Sequence, residues 1–152
     1  MSLYRTIKTF DNYPCSHRQW RHPGHCKFIH GYSRSFTITF GCTELTESGF
    51  GVDFGEFAEV KAWLSHWFDH TLLINADDPE RELFESLHAK SIVDLRVLPN
   101  VSMERTAEFV FAFVDSWIRE HTNQRAFVLE VECRENNKNA GRYVSPDAVD
   151  NR

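Results

Sequence analysis

Hydrophobic and polar residues alternate most regularly over residues 30–42, where Phe36, Ile38 and Phe40 face one way and Ser and Thr residues face the other. A period of two over such a length predicts a β-strand with one buried face. Residues 126–134 alternate in the same way, and residues 3–13 and 92–98 are also predicted to be strands. Residues 14–29 are rich in His, Arg, Pro and Gly, which predicts a loop.

Two other segments repeat their apolar residues every three or four positions, as amphipathic helices do. The first begins after Asp53 and carries Phe57, Val60, Trp63, Leu64 and Trp67. The second covers residues 105–120 and carries Val110, Phe113, Val114, Trp117 and Ile118. Residues 79–88 predict a shorter helix, with Pro79 in its first turn.

These elements predict an α+β fold in which helices cover one face of an antiparallel sheet. The length of 152 residues suits one domain. We therefore expect a single domain over residues 1–144, followed by a polar, flexible tail at residues 145–152.

The composition excludes several classes of protein. Hydrophobic residues make up 41% and charged residues 26%, as in ordinary globular proteins. A net charge of −5 argues against nucleic acid as a partner. No apolar run is long enough to span a bilayer, and the N-terminus is too polar for a signal peptide, so we expect a cytoplasmic protein without membrane contact. The four cysteines form no C-x-x-C pair.

Histidines concentrate in the predicted loop and at the start of the strand after it. Four of the eight lie within fourteen residues, together with Cys26: His17, His22, His25 and His30. An isolated histidine in a polar loop usually has no function, but this density favours a metal site, because imidazole is the usual zinc ligand. Tyr32 lies two residues after His30 on a strand, so both side chains share a face.

Other candidates are weaker when taken alone. Asp69 precedes His70 and could orient its imidazole for proton transfer. Glu132 could be a solvent-facing carboxylate, or it could bind the donor edge of a 2-amino-pyrimidinone ring. Four basic residues without an acidic neighbour could bind a small anion or be ordinary solvated charges: Arg18, Arg21, Lys27 and Arg34.

Five short motifs in order resemble the family of 6-pyruvoyl-tetrahydropterin and 6-carboxytetrahydropterin synthases. Cys26-Lys-Phe-Ile-His30-Gly-Tyr32 resembles its C-x-x-x-H-G-H motif, with Tyr32 in place of the last histidine. The other four segments resemble V-D-F-x-x-L, L-D-H-x-x-L, P-T-x-E and the glutamate of the final strand. They are residues 52–57, residues 68–73, Arg105 to Glu108, and Val131-Glu132.

The resemblance implies a tunnelling fold: a four-stranded antiparallel sheet with two main helices on one face, closed into a barrel by oligomerisation. It implies a homohexamer, as a dimer of trimers, with active sites between subunits. The metal ligands would be His17, His30 and Tyr32, and the metal Zn²⁺ or another first-row divalent ion. His22 or His25 could replace Tyr32 as the third ligand.

The same resemblance implies roles in catalysis. Cys26 would be the catalytic thiol, and Asp69 and His70 the proton-transfer pair. The substrate-binding residues would be Glu132, as the pterin anchor, Thr106 and Glu108. The step of four residues from Cys26 to His30 is similar to that of bacterial 6-carboxytetrahydropterin synthases. Those enzymes convert 7,8-dihydroneopterin triphosphate to 6-carboxytetrahydropterin, acetaldehyde and triphosphate for queuosine and 7-deazapurine biosynthesis.

Two alternatives remain at this point. One is the pyruvoyl-forming enzyme of the same fold. The other is a pterin- or metal-binding paralogue with weak catalysis, which the departure at Tyr32 suggests.

Overall fold

The computed structural model describes residues 2–149 as an α+β fold built on one curled, mixed sheet. The strands are β1 (Tyr4–His17), β2 (His30–Cys42), β3 (Leu72–Asn75), β4 (Leu95–Leu98), β5 (Ala126–Arg134) and β6 (Ala140–Val144). The helices are α1 (Ala58–Phe68), α2 (Arg81–Ala89), α3 (Met103–His121) and the short α4 (Pro146–Val149), and His25–Lys27 form a single 3₁₀ turn. Within residues 2–149, no helix combines the length and the apolar composition needed to cross a membrane.

The sheet order is β4-β3-β1-β2-β5-β6, which differs from the four antiparallel strands that the resemblance implies. The pairs β1–β2, β2–β5 and β5–β6 are antiparallel, whereas β3 runs parallel to both β1 and β4. The prediction missed β3 because its four residues are all buried and show no alternation. It missed β6 because that edge strand is short and mostly exposed, so its sequence shows no clear alternation of apolar and polar residues.

The strand β1 continues to His17, so the predicted loop at residues 14–29 begins too early. Tyr13, Cys15 and His17 alternate inward, which extends the half-buried pattern past Pro14. The pairing between β1 and β2 shifts register between Phe10 and Tyr13, where a β-bulge interrupts the strand.

The two main helices, α1 and α3, pack on the same apolar core as the central strands. Phe36 and Phe40 of β2 are fully buried in it, as are Phe57 just before α1 and Phe68 at the end of α1. The helix α3 begins at a Ser102 cap, whose hydroxyl accepts a hydrogen bond from the Arg105 amide at 3.2 Å. This core holds β1 and β2 in place. The histidines lie at the paired ends of these strands, where β1 ends at His17 and β2 begins at His30.

The predicted flexible tail lies partly outside the described residues. Residues 146–149 form the turn of α4, and Ser145 is buried, with its amide donating to the carbonyl of Leu129 at 2.8 Å. Residues 150–152 lie outside the described part of the chain.

Candidate active site

The ends of β1 and β2 bring two histidines from the predicted cluster together. His17 and His30 are cross-strand partners, so their side chains leave the same face of the sheet. Their ring centroids are 4.6 Å apart. His17 is 6% exposed, and His30 lies closer to the surface. The register between β1 and β2 therefore builds this pair from residues that are thirteen positions apart in the chain.

Gly31 permits the close approach of the two strands at this point. A Cβ atom on Gly31 would overlap the carbonyl oxygen of Cys15. Any other residue would push β2 away from β1, because the obstacle is backbone rather than a flexible side chain. Glycine at this position keeps His30 beside His17.

Glu135 completes the cluster from the end of β5. One of its carboxylate oxygens lies 3.4 Å from Nε2 of His17 and 3.4 Å from Nε2 of His30. Its backbone amide donates to the carbonyl of Asn139 at 3.0 Å, which closes the hairpin loop between β5 and β6. Among the described residues, these three form the one group of histidine, cysteine and acidic side chains arranged to hold a metal ion.

The cluster suits a divalent cation in the kind and spacing of its donor atoms. Zinc binds imidazole nitrogen and carboxylate oxygen at about 2.0–2.2 Å, so two ligands of a tetrahedral site lie about 3.3–3.6 Å apart. The two distances of 3.4 Å fall in that interval. All three ligand atoms lie within 4.8 Å of one another.

The second nitrogen of each imidazole has a different partner. Nδ1 of His30 lies 2.7 Å from the carbonyl oxygen of Phe28 and therefore donates to it. Nδ1 of His17 lies 2.9 Å from Nη2 of Arg34. Because a guanidinium group can only donate, Nδ1 of His17 accepts this hydrogen bond.

Arg34 is buried beneath the cluster, with 2% of its surface exposed. Its guanidinium lies 5.8 Å from the centroid of the Phe68 ring, and Nη1 has no hydrogen-bond partner among the described residues. Burial, together with the neighbouring Arg34 guanidinium and the His30 imidazole, lowers the pKa of His17 to about 3. His17 is therefore a neutral imidazole at physiological pH.

The remaining candidates for the third ligand lie outside this group. Tyr32 pairs with Cys15 across the β1–β2 ladder, and its side chain is 52% exposed. Its role as a metal ligand stays a prediction. Neither His22 nor His25 joins the group of ligand atoms within residues 2–149. Nδ1 of His22 instead accepts a hydrogen bond from the amide of Gly24 at 3.0 Å.

Cys26 lies in the 3₁₀ turn that leads into β2. Its side chain is partly exposed, and its carbonyl accepts a hydrogen bond from the Gln19 amide at 2.9 Å, which fixes the turn to the end of β1. The thiol is not part of the group of ligand atoms. Cys26 therefore lies just before β2 and outside the histidine cluster.

Asp69 and His70 form a separate hydrogen-bonded pair at the end of α1. Oδ1 of Asp69 lies 2.5 Å from Nδ1 of His70, and both side chains are exposed. His70 has a φ of 58°, and its amide donates to the carbonyl of Pro14 at 2.7 Å. Its side chain borders a cavity of about 340 Å³ that also reaches Cys15. Neither side chain belongs to the group of ligand atoms formed by His17, His30 and Glu135.

Glu132 lies on the opposite face of β5 from Cys133, which is buried in the core. Its carboxylate is 2.7 Å from Nη2 of Arg142 and 3.1 Å from Nη2 of Arg134. Burial alone would raise the pKa of Glu132, but hydrogen bonds from the two arginines hold it below the ordinary value. Residues 132 and 135 differ by an odd number of positions, so they point to opposite faces of the strand. Glu135 faces the histidines, and Glu132 therefore faces away from them.

Glu135 could have been found by counting along β5 in steps of two. Val131 and Cys133 face the core, and the next residue on that side is Glu135. The sequence pointed instead to Glu132, which faces the other side of the strand. Arg34 was expected to bind an anion or to be solvated, and its burial was not expected, because an arginine in a half-buried strand usually faces solvent.

Thr106 and Glu108, expected to bind substrate, lie in the first turns of α3. Thr106 is fully buried, and its hydroxyl has no hydrogen-bond partner among the described residues. Glu108 pairs with Arg105 at 2.7 Å and borders a cavity of about 560 Å³ with Pro99 and Asn100. Neither side chain is part of the histidine cluster, so their substrate-binding roles stay predictions.

Most of the basic residues expected near an anion already have partners. Arg18 binds Asp78 at 2.6 Å, Arg21 binds Asp77 at 2.9 Å, and Arg34 donates to His17. Lys27 lies over the ring of Phe28 and has no acidic partner within the described residues. Of the four, Lys27 is the one available to a phosphate group.

Comparison with known proteins agrees with the resemblance in sequence. The sequence profile described as 6-pyruvoyl tetrahydropterin synthase matches residues 6–146. The 6-carboxy-5,6,7,8-tetrahydropterin synthase of Rickettsia felis is 32% identical over 69 residues, which cover 45% of this chain and 50% of the relative. The enzyme of the same name from Rickettsia typhi is 31% identical over 70 residues, which cover 45% of this chain and 51% of the relative. The chain thus spans about half the length of the curated relatives that it matches.

Solved structures share the fold over almost the whole chain. An uncharacterized protein from Wolinella succinogenes superposes with a TM-score of 0.79 at 21% identity, covering 95% of this chain and 99% of that one. The 6-pyruvoyl tetrahydropterin synthase of Plasmodium vivax gives a TM-score of 0.68 at 14% identity, over 94% and 98% of the two chains. The profile match covers nearly all of the chain, and the protein belongs to the 6-pyruvoyl tetrahydropterin synthase family.

Proposed function

We propose that the protein is a 6-carboxytetrahydropterin synthase. It would convert 7,8-dihydroneopterin triphosphate and one water molecule to 6-carboxytetrahydropterin, acetaldehyde and triphosphate, as a carbon–carbon lyase of queuosine and 7-deazapurine biosynthesis. The observation that carries the proposal is the His17–His30 pair closed by Glu135 at the end of the sheet. The names of the curated relatives support the carboxy product over the pyruvoyl product.

A divalent cation, zinc in the first instance, would be held by His17 and His30, with Glu135 as a third donor while no pterin is bound and Tyr32 as the third ligand when Glu135 binds the ring. When bound, it would supply Lewis-acid polarisation of the oxygens on the substrate side chain. The donor atoms of this chain support the assignment, since two imidazoles and a carboxylate are common ligands of catalytic zinc.

Glu135 is also the carboxylate that we assign to the pterin ring, in place of Glu132. Recognition of a 2-amino-pyrimidinone edge needs a carboxylate that can accept two parallel hydrogen bonds. Both oxygens of Glu132 are occupied by arginines on the opposite face of the sheet. Glu135 faces the histidines, with a side chain that is 18% exposed, and is free of arginine contacts among the described residues.

Cys26 would act as the base that removes a proton from the substrate side chain. It is partly exposed in the turn before β2 and lies four residues from His30. A thiolate suits this task when a cation and basic side chains are near. Lys27, adjacent to it and without an acidic partner in the described residues, would bind the triphosphate.

Asp69 and His70 would serve the active site of a neighbouring subunit. The pair is oriented by its own hydrogen bond and exposed on the protomer surface, where a neighbouring subunit could reach it. The outer strands β4 and β6 leave two open sheet edges, which oligomers commonly cover. We propose a homohexamer built from trimers. Light scattering should give six or three subunits, and an active monomer would contradict the shared site.

The test of this function is product identification by mass spectrometry after incubation with 7,8-dihydroneopterin triphosphate. We expect 6-carboxytetrahydropterin and acetaldehyde in equal amounts from the wild type, and neither from Cys26→Ala. A 6-pyruvoyl product would assign the chain to the other activity of the family. Substrate binding without consumption would instead identify a pterin-binding paralogue.

A further inference from the structure

We infer that Arg34 competes with a metal ion for His17 and so lowers the metal affinity of the cluster. While the guanidinium donates to Nδ1, the other ring nitrogen of His17 carries a proton where a metal would need a lone pair. This inference concerns binding in the absence of substrate, and it is tested without turnover. It therefore stands or falls separately from the proposed reaction.

The hydrogen bond between Arg34 and His17 runs from the guanidinium to the imidazole. Nη2 of Arg34 lies 2.9 Å from Nδ1, and arginine has no acceptor atom, so Nδ1 must hold the lone pair. A neutral imidazole has one N–H group, which is then on Nε2. Nε2 is the atom that points at Glu135 from 3.4 Å. His17 is thus a donor to Glu135 in this arrangement, and not a ligand.

His30 shows the opposite arrangement within the same cluster. Its Nδ1 donates to the carbonyl of Phe28 at 2.7 Å, which leaves a lone pair on Nε2. Metal-ligating histidines usually donate their other N–H to a carbonyl or carboxylate in this way. Nε2 of His30 can therefore bind a metal directly. Arg34 holds His17 in the other tautomer, in which Nε2 carries the proton and cannot bind a metal.

Burial makes the competition difficult to avoid. Arg34 is 2% exposed, and Nη1 has no hydrogen-bond partner among the described residues. Breaking the bond from Nη2 to His17 would leave a second buried donor without an acceptor, which costs free energy. The same side chain places a permanent positive charge beside the cluster. Metal binding at His17 requires the guanidinium to move and the proton to transfer from Nε2 to Nδ1.

Zinc titrations under chelator competition test the inference with three substitutions at one position. Arg34→Met removes the donor at similar volume, Arg34→Gln offers an amide oxygen to an Nδ1–H group, and Arg34→Lys keeps a charged donor. We expect zinc to bind about 10- to 100-fold more tightly to the Met and Gln variants than to wild type, the range typical of changes behind a metal ligand. Arg34→Lys should remain close to wild type.

Lys27→Met is the matched control, because it removes a positive charge from the adjacent turn without removing a partner of His17. Its zinc affinity should stay within about twofold of wild type. An equal gain in Lys27→Met and Arg34→Met would assign the effect to general charge and overturn the inference. Unchanged affinity in both Arg34→Met and Arg34→Gln would also overturn it.

Tyr32→His separates this effect from the missing third histidine. If Arg34 restrains His17, the substitution at residue 32 should raise zinc affinity more in the Arg34→Met background than in the wild-type background. Equal gains in the two backgrounds would show that Arg34 does not limit the site.

The tautomers can also be read on the unmodified, metal-free protein by ¹⁵N NMR of the imidazole nitrogens. We expect the proton of His17 on Nε2 and that of His30 on Nδ1. This measurement needs no variant, so it decides the matter even where a substitution of a buried arginine disturbs folding. A proton on Nδ1 of metal-free His17 would overturn the inference.

Discussion

The two halves of the β1–β2 ladder use the same pairing for opposite purposes. From Tyr4↔Cys42 to Phe10↔Phe36 the inward side chains join an aromatic core beneath α1 and α3. Beyond the bulge, the same face carries Arg34 and ends at the His17–His30 pair. A single alternation therefore builds the core at one end and delivers polar groups to a site at the other.

The two halves also differ in what burial does to stability. Removing a phenylalanine side chain from water stabilises the fold by about 2–3 kcal/mol. Burying Arg34, whose Nη1 has no hydrogen-bond partner within residues 2–149, and His17 as a neutral imidazole costs free energy. The stability of the core half therefore offsets the free-energy cost of burying Arg34 and His17 in the site half.

The largest effect in the site half should come from Cys26→Ala. We expect kcat to fall by about 10²- to 10⁴-fold, the usual contribution of a general base, with folding and metal content unchanged. Cys42→Ala is the matched control, because that thiol is buried at the core end of β2. Near-normal turnover by Cys26→Ala would remove this thiol from the mechanism.

In the core half, Phe36→Ala should lower the free energy of unfolding by about 3–5 kcal/mol, because a fully buried ring leaves a cavity. Phe50→Ala, at a position 51% exposed, should change it by less than about 0.5 kcal/mol. Urea denaturation followed by fluorescence measures both. Similar losses for the two variants would contradict the division between core and site.

The two glutamates at the end of β5 give a smaller but sharper contrast. Glu135→Gln should weaken pterin binding more than tenfold, a loss of at least about 1.4 kcal/mol for a charge-assisted pair. Glu132→Gln should leave binding nearly unchanged, because its carboxylate binds Arg142 and Arg134 on the other face. Calorimetric titration compares them. The reverse order would return the pterin anchor to Glu132.

Acid should destabilise the site half through His17. Its folded pKa of about 3 lies below the ordinary 6.5, so between these values the unfolded chain binds a proton that the folded chain does not. The free energy of unfolding of metal-free protein should therefore fall as the pH drops from 6.5 to 3, by up to about 1.4 kcal/mol per pH unit. His17→Gln should flatten this slope, and His70→Gln, at an exposed position, should not. Equal slopes in wild type and His17→Gln would count against the buried neutral imidazole.

The strongly alternating segments were predictable from sequence to the residue. The predicted strands at 30–42 and 126–134 coincide with β2 and β5, since each has one buried and one exposed face. β3 was not predictable, because four consecutive buried residues show no period. The parallel pairing of β3 with β1 depends on a contact between residues 16–17 and 72–73, which no local pattern encodes.

The candidate site divides in the same way. The resemblance placed His17 and His30 together, and the structure brings them side by side because His17 ends β1 and His30 begins β2; their role as metal ligands stays a prediction. Glu135 was missed and the burial of Arg34 was not expected, since both depend on which face of a strand the residue occupies and on what lies behind it. Asp69 and His70 were expected in the same site; the structure shows them hydrogen-bonded to each other, and their role in the site stays a prediction.

The central claim is that the histidine end of the β1–β2 ladder receives the pterin, and a crystal structure of the protein with 7,8-dihydroneopterin bound tests it most directly. The account predicts the 2-amino edge of the ring within hydrogen-bonding distance of Glu135, and the side chain of the ligand directed toward His17 and His30. A ring bound to Glu132 on the opposite face of the sheet, or away from both histidines, would contradict it.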